Sequence, residues 1–149
     1  MPESSFAVAT RRHYEDAEFL FSGRRCVSAD HLAGLAAECG LKAILLKCGE
    51  AKMNSKSGKP VLVAPNSGEE KSLGHVDELW NQLPLIVSGR SAKRFTALVA
   101  RPAPFATWRI TDRYSDGTTI TAECARKHLD AAGQILGLLE QAEREGTLP

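Results

Sequence analysis

The residues of this sequence best equipped for chemistry are charged and aromatic groups set at short spacings. Glu38 and Lys42 stand four residues apart, the order that favours an ion pair along one helix face. The sequence around them is apolar, so burying both charges is costly without further partners, and Asp16, His75, Arg113 and Tyr114 are the candidates. Two readings follow: a structural polar network, or a pocket that binds a ligand or carries catalysis.

A second concentration lies between Arg90 and Arg113, where Arg90, Lys93, Arg94, Arg101, Arg109 and Arg113 face a single acid, Asp112. Phe105, Trp108 and Tyr114 lie in or beside its later part. Guanidinium groups grip phosphate bidentately and aromatic rings stack on bases, so Arg109, Arg113, Trp108 and Tyr114 suit a nucleotide or single-stranded RNA. The alternative is that these arginines pair with acids of the last helix while Trp108 closes the core.

Other chemistries lack their signatures. His13, His31, His75 and His128 show no HxxxH or HExxH spacing and no CxxC pair accompanies them, so no metal is expected. No GxxxxGK[ST], GxGxxG or GxSxG occurs, and no cofactor is expected. Cys26, Cys39, Cys48 and Cys124 read as buried free thiols. A net charge of +1 gives no global pull toward nucleic acid or anionic lipid, which leaves such binding to local clusters. The start, MPESSFAVAT, holds no apolar run like a signal peptide's, and no stretch reaches the roughly 18 apolar residues of a membrane span. A cytoplasmic protein with no membrane partner is the expectation.

The elements that must position these groups are helices. Tyr14, Ala17 and Phe21 form one stripe between Arg11 and Phe21, and Ser22-Gly23 suits a helix end. From Ser28 to Lys47, Leu32, Leu35, Ala36, Cys39, Ile44, Leu45 and Leu46 surround most of a helix, which places it centrally, and its glycines and alanines let neighbours approach closely. Residues 49–72 read as a long loop around Val61-Leu62-Val63, disordered or a loose hairpin, with a substrate-gating flap as the alternative, and no convincing β pattern. Ser72 could cap a helix reaching about Val87, with Val76, Leu79, Trp80 and Leu83 inward and Pro84 able to kink or shorten it. A short helix over 92–100 is stopped by Pro102 and Pro104. A last helix from about Thr119 to Glu145 carries Ala125, His128, Leu129, Ala132, Ile135, Leu136 and Leu139. With 149 residues and 43% hydrophobic content, the expectation is one all-α domain over 1–149, an antiparallel four- to five-helix bundle with a long loop or insertion after the second helix.

His13-Tyr-Glu-Asp16-Ala17-Glu-Phe-Leu20, Gly23-Arg24, and His31-Leu-Ala33-Gly34-Leu-Ala36-Ala37-Glu38-Cys39-Gly-Leu41-Lys42-Ala43-Ile44-Leu45 resemble the first two helices of the HEPN family. Gly74-His75-Val-Asp-Glu-Leu79, Arg113-Tyr114 and the Ala-rich last helix resemble it in order and spacing, so the likeness spans roughly 11–142 apart from 49–72. The resemblance implies a helical bundle that commonly forms homodimers and acts on or beside nucleic acid. It implies three kinds of role: metal-independent RNase of toxin–antitoxin or defence systems, partner of a minimal nucleotidyltransferase, or non-catalytic binding domain.

The nuclease members carry a late Arg-x4–6-His motif. Here the corresponding region, Arg109 to Thr118, has no histidine, and His128 is fifteen residues beyond Arg113. Arg25-Cys-Val-Ser-Ala-Asp-His31 matches formally but opens the second helix, a position that favours surface arginines beside a packing histidine. The leading expectation is therefore a HEPN-like binding module for RNA or nucleotides, or a nucleotidyltransferase partner. A divergent RNase, with phosphate held by Arg113 and acid–base chemistry from His75, His31 or Tyr114, is the alternative, and a purely structural interaction dimer is a third.

Overall fold

A computed structural model describes residues 5–64, 66–86 and 103–145. Helix α1 (Phe6–Ser22) opens where the Ser5 side chain accepts a hydrogen bond from the Val8 N–H, and ends at Gly23, whose N–H bonds the Phe19 carbonyl. Ala17 is fully buried while Tyr14 and Phe21 pack half-buried against the core, which is the stripe their spacing implies.

Helix α2 (Cys26–Lys47) is the centre of the molecule. Ala33, Ala36, Ala37, Leu41, Ile44 and Leu45 are all fully buried, and the helix packs along both α1 and the last helix, α4 (Ala122–Arg144). Burying each large aliphatic side chain stabilises the fold by roughly 1.5–3 kcal/mol. The small residues do what their lack of bulk suggests. A Cβ added at Gly40 would stand 2.6 Å from the Ile135 Cγ2 of α4, and one at Gly34 would overlap the Trp108 ring. Arg11 of α1 and Glu143 of α4 join these two helices through an ion pair.

Between α2 and the third helix the sequence reading needs correcting. Residues 49–72, expected as a long loop, disordered or a loose hairpin, contain an ordered three-stranded antiparallel meander: β1 (Lys52–Met53), β2 (Pro60–Val63) and β3 (Glu70–Ser72), in the order β1-β2-β3. Val61 pairs with Lys52 on one side and Ser72 on the other, and is 4% exposed. Ser72, expected as a helix cap, therefore belongs to a strand.

Helix α3 (Val76–Ile86) follows, continuing through position 84, with Val76, Leu79, Trp80 and Leu83 buried. The expected helix over 92–100, with Arg90, Lys93, Arg94 and Arg101, lies outside the described residues. Beyond it, a short 3₁₀ turn (Ile110–Tyr114) leads to α4, which is capped by the Thr121 side chain accepting from the Cys124 N–H. The fold is mostly helical. The four cysteines are free thiols, half-buried rather than fully buried. Among the described residues no helix is long and apolar enough to cross a membrane.

Candidate functional site

Glu38 projects from the middle of α2 toward the start of α3, with its side chain 10% exposed. One carboxylate oxygen, Oε2, accepts a hydrogen bond from Lys42 Nζ at 3.0 Å. The other, Oε1, accepts the Val76 N–H at 3.1 Å and lies 3.0 Å from His75 Nδ1. The i,i+4 step of the helix sets the first contact. The second follows from the unsatisfied amides and positive dipole end of a helix N-terminus, which a carboxylate neutralises. Glu38 is thus the device that docks α3 onto α2, and Lys42 offsets its charge. His75 is half-exposed at the rim of this network.

A second set of groups stands beside the first. Arg113 and Tyr114 end the 3₁₀ turn, with the guanidinium 4.7 Å above the Tyr114 ring centroid and the tyrosine 76% exposed. Arg113 is the strongest cationic influence on His31, whose pKa is lowered from 6.5 by burial first and by Arg113 second. His31 stacks on Trp108 at 5.6 Å between ring centroids, and its buried Nδ1 has no hydrogen-bond partner among the described residues. His13 of α1 is lowered too, by burial and then by Arg12, with His31 and Glu38 also acting on it. Asp16 acts on His13 in the opposite sense and is exposed, so it is not a partner of Glu38. His13, His31 and Glu38 therefore lie within electrostatic reach of one another, and His31 within that of Arg113.

The remaining residues named from sequence fall elsewhere. Trp108 is fully buried and donates its indole N–H to the Asp30 carbonyl at 3.1 Å, so it closes the core and has no face for a base; its assignment as a stacking residue is corrected. The Arg109 guanidinium bonds the carbonyls of Ala106 at 2.6 Å and Trp108 at 2.9 Å and lies 3.6 Å from Asp77, on α3 rather than the last helix. Its donors serve the local chain. Arg25 is the exposed residue preceding α2, and Arg113, not Arg25, is the cation that most perturbs His31.

Sequence reasoning missed one constellation. His128 of α4 is 1% exposed, with its Nδ1 2.5 Å from the Oδ1 of Asp30, itself 2% exposed, on α2. Its ring stacks on Phe105 at 5.0 Å, and Cys124, one helical turn earlier, brings its Sγ to 3.9 Å from the same Nδ1. The Cys-x3-His spacing was the available signal; the third member, Asp30, is 98 residues from His128 and carries none.

Comparison of the chain with protein-family models, with curated proteins and with solved structures finds no match.

Proposed function

We propose that this protein is a HEPN-like helical binding module whose ligand is RNA or a nucleotide, held where the 3₁₀ turn meets α2. The observation that carries the reading is the exposed Tyr114 ring with the Arg113 guanidinium over it. An exposed aromatic offers a stacking face to any base, and an adjacent guanidinium offers a bidentate grip on phosphate. His31 lies within electrostatic reach of Arg113, and His13 within that of His31, both half-buried, with ring nitrogens of the kind that bond a phosphate or base edge. Glu38 holds α2 against the start of α3, and Lys42 pairs with it along α2. The HEPN resemblance supports the same reading through the order of its motifs on α1, α2, the 3₁₀ turn and α4, and it brings with it a homodimer and a nucleotidyltransferase as protein partners.

Fluorescence anisotropy of a labelled single-stranded oligoribonucleotide, with nucleoside triphosphates as competitors, tests this at low and moderate salt. Binding by wild type that weakens in Arg113→Ala and in Tyr114→Ala is the expected result. No binding at low salt removes the ligand and leaves a protein-interaction role.

One observation favours a second reading, a divergent metal-independent RNase. The lowered pKa of His31 leaves its ring neutral near pH 7 beside the Arg113 cation, so it could accept a proton while Arg113 holds the phosphate. RNA cleavage in chelator by wild type, lost in Arg113→Ala and in His31→Gln, is its signature. Equal or absent cleavage removes it.

A further inference from the structure

We propose that Asp30, Cys124 and His128 form a binding site for a divalent transition cation of the zinc class. Their ligand atoms, a carboxylate oxygen, a thiol sulfur and an imidazole nitrogen, all lie within 4.8 Å of one another. They come from two helices that the core packing already holds together, α2 and α4, and Cys124 and His128 share one face of α4 through their i,i+4 spacing.

The arrangement around His128 separates this reading from a nucleophile relay. In a cysteine–histidine–aspartate relay the thiol and the carboxylate address opposite ring nitrogens, because one hands over a proton while the other fixes the tautomer. Here both converge on Nδ1, the carboxylate at 2.5 Å and the sulfur at 3.9 Å. Convergence of three donors on one small volume is how ligands surround a shared cation. Tetrahedral zinc with ordinary bond lengths separates its sulfur and nitrogen ligands by roughly 3.5 Å and its nitrogen and oxygen ligands by roughly 3.3 Å. The sulfur is therefore almost in place, and the Asp30–His128 contact opens by under about one ångström when a cation enters between the two.

The donor set selects the metal. One thiolate, one imidazole and one carboxylate suit zinc or cobalt, whereas magnesium and calcium require oxygen ligands. Access is provided by a cavity of about 590 Å³ lined by Cys124, His128, Thr107, Thr121, Glu123 and Lys127 among others. Three protein ligands and an open side leave a fourth position for water, for Glu123 or for a ligand atom entering through the cavity.

Titration of the reduced, full-length protein with cobalt(II) tests the site. One cobalt per chain with a thiolate-to-cobalt charge-transfer band and tetrahedral d–d bands is expected. Cys124→Ser, a conservative change at a half-buried position, should abolish the charge-transfer band and weaken zinc binding by roughly tenfold or more in competition with a chelating dye. Absence of the band in wild type overturns the proposal. So does its persistence in Cys124→Ser, which would place the metal on Cys26, Cys39 or Cys48. Zinc-edge X-ray absorption on the wild-type complex gives an independent reading that needs no variant: one sulfur with nitrogen and oxygen ligands supports the site, and two or more sulfurs contradict it.

Discussion

The Trp108 indole lies against the backbone of Gly34, close enough that a methyl group at position 34 would occupy the space of its ring. The same indole donates to the Asp30 carbonyl one turn earlier on α2, so the ring is fixed both by contact and by a hydrogen bond. Gly34→Ala should therefore cost about 3 kcal/mol or more, beyond ordinary overpacking of 1–3 kcal/mol, because the rigid ring has no far end to swing away. Gly137 of α4 is exposed with nothing among the described residues within 4 Å of an added Cβ, and Gly137→Ala should stabilise by up to about 1 kcal/mol through helix propensity. Urea denaturation followed by tryptophan fluorescence reads both. Equal effects at the two positions would contradict this packing.

Glu38 and Lys42 are unequal partners. Removing the carboxylate strands a buried ammonium and the Val76 N–H together, so Glu38→Leu should destabilise by about 3–5 kcal/mol. Lys42→Met should cost less, since Glu38 keeps the Val76 amide and His75. The double substitution should recover part of the Glu38→Leu loss, which a double-mutant cycle in urea measures. A Glu38→Leu protein within about 0.5 kcal/mol of wild type would show that the carboxylate does not dock α3.

Much of this could be read in advance. Helix α2 was legible because its apolar residues surround it, and the Glu38–Lys42 pair because its spacing belongs to a helix. The sheet was not: β1 is only Lys52 and Met53, both exposed, β3 is exposed and polar in Glu70-Lys71-Ser72, and β2 begins at Pro60 and stops short of the proline at 65, so no alternation survives. His75 was legible only as one of several possible partners for Glu38, because nothing local distinguishes it from Arg113 or Asp16. The Asp30–His128 pair joins helices far apart in sequence, and such pairings leave no periodic trace. Trp108 among arginines has the same composition whether its ring faces a base or a core, and only packing against Gly34 and Asp30 decides.

The pH dependence of His31 follows from its surroundings. Its folded pKa lies below 6.5 through burial first and Arg113 second. Below 6.5 the unfolded chain takes up a proton at this ring more readily than the folded chain. Its contribution to stability is thus fully present above 6.5, falls as the pH drops through that value, and levels off once the folded ring also protonates. His13 acts in the same direction. An NMR titration of the imidazole protons should place the His31 midpoint below 6.5 in wild type and higher in Arg113→Ala. A wild-type midpoint at or above 6.5, or one unmoved by the substitution, would contradict the proximity of the two groups.

The most direct test of the proposed binding role is a chemical-shift map of the ¹⁵N-labelled protein titrated with a short single-stranded oligoribonucleotide at low salt. The largest changes should fall on Tyr114, Arg113, His31 and His13, and Tyr114→Ala should remove roughly 1–3 kcal/mol of binding free energy. Changes confined to the β1–β3 meander or to the outer face of α4, or none at all, would contradict it.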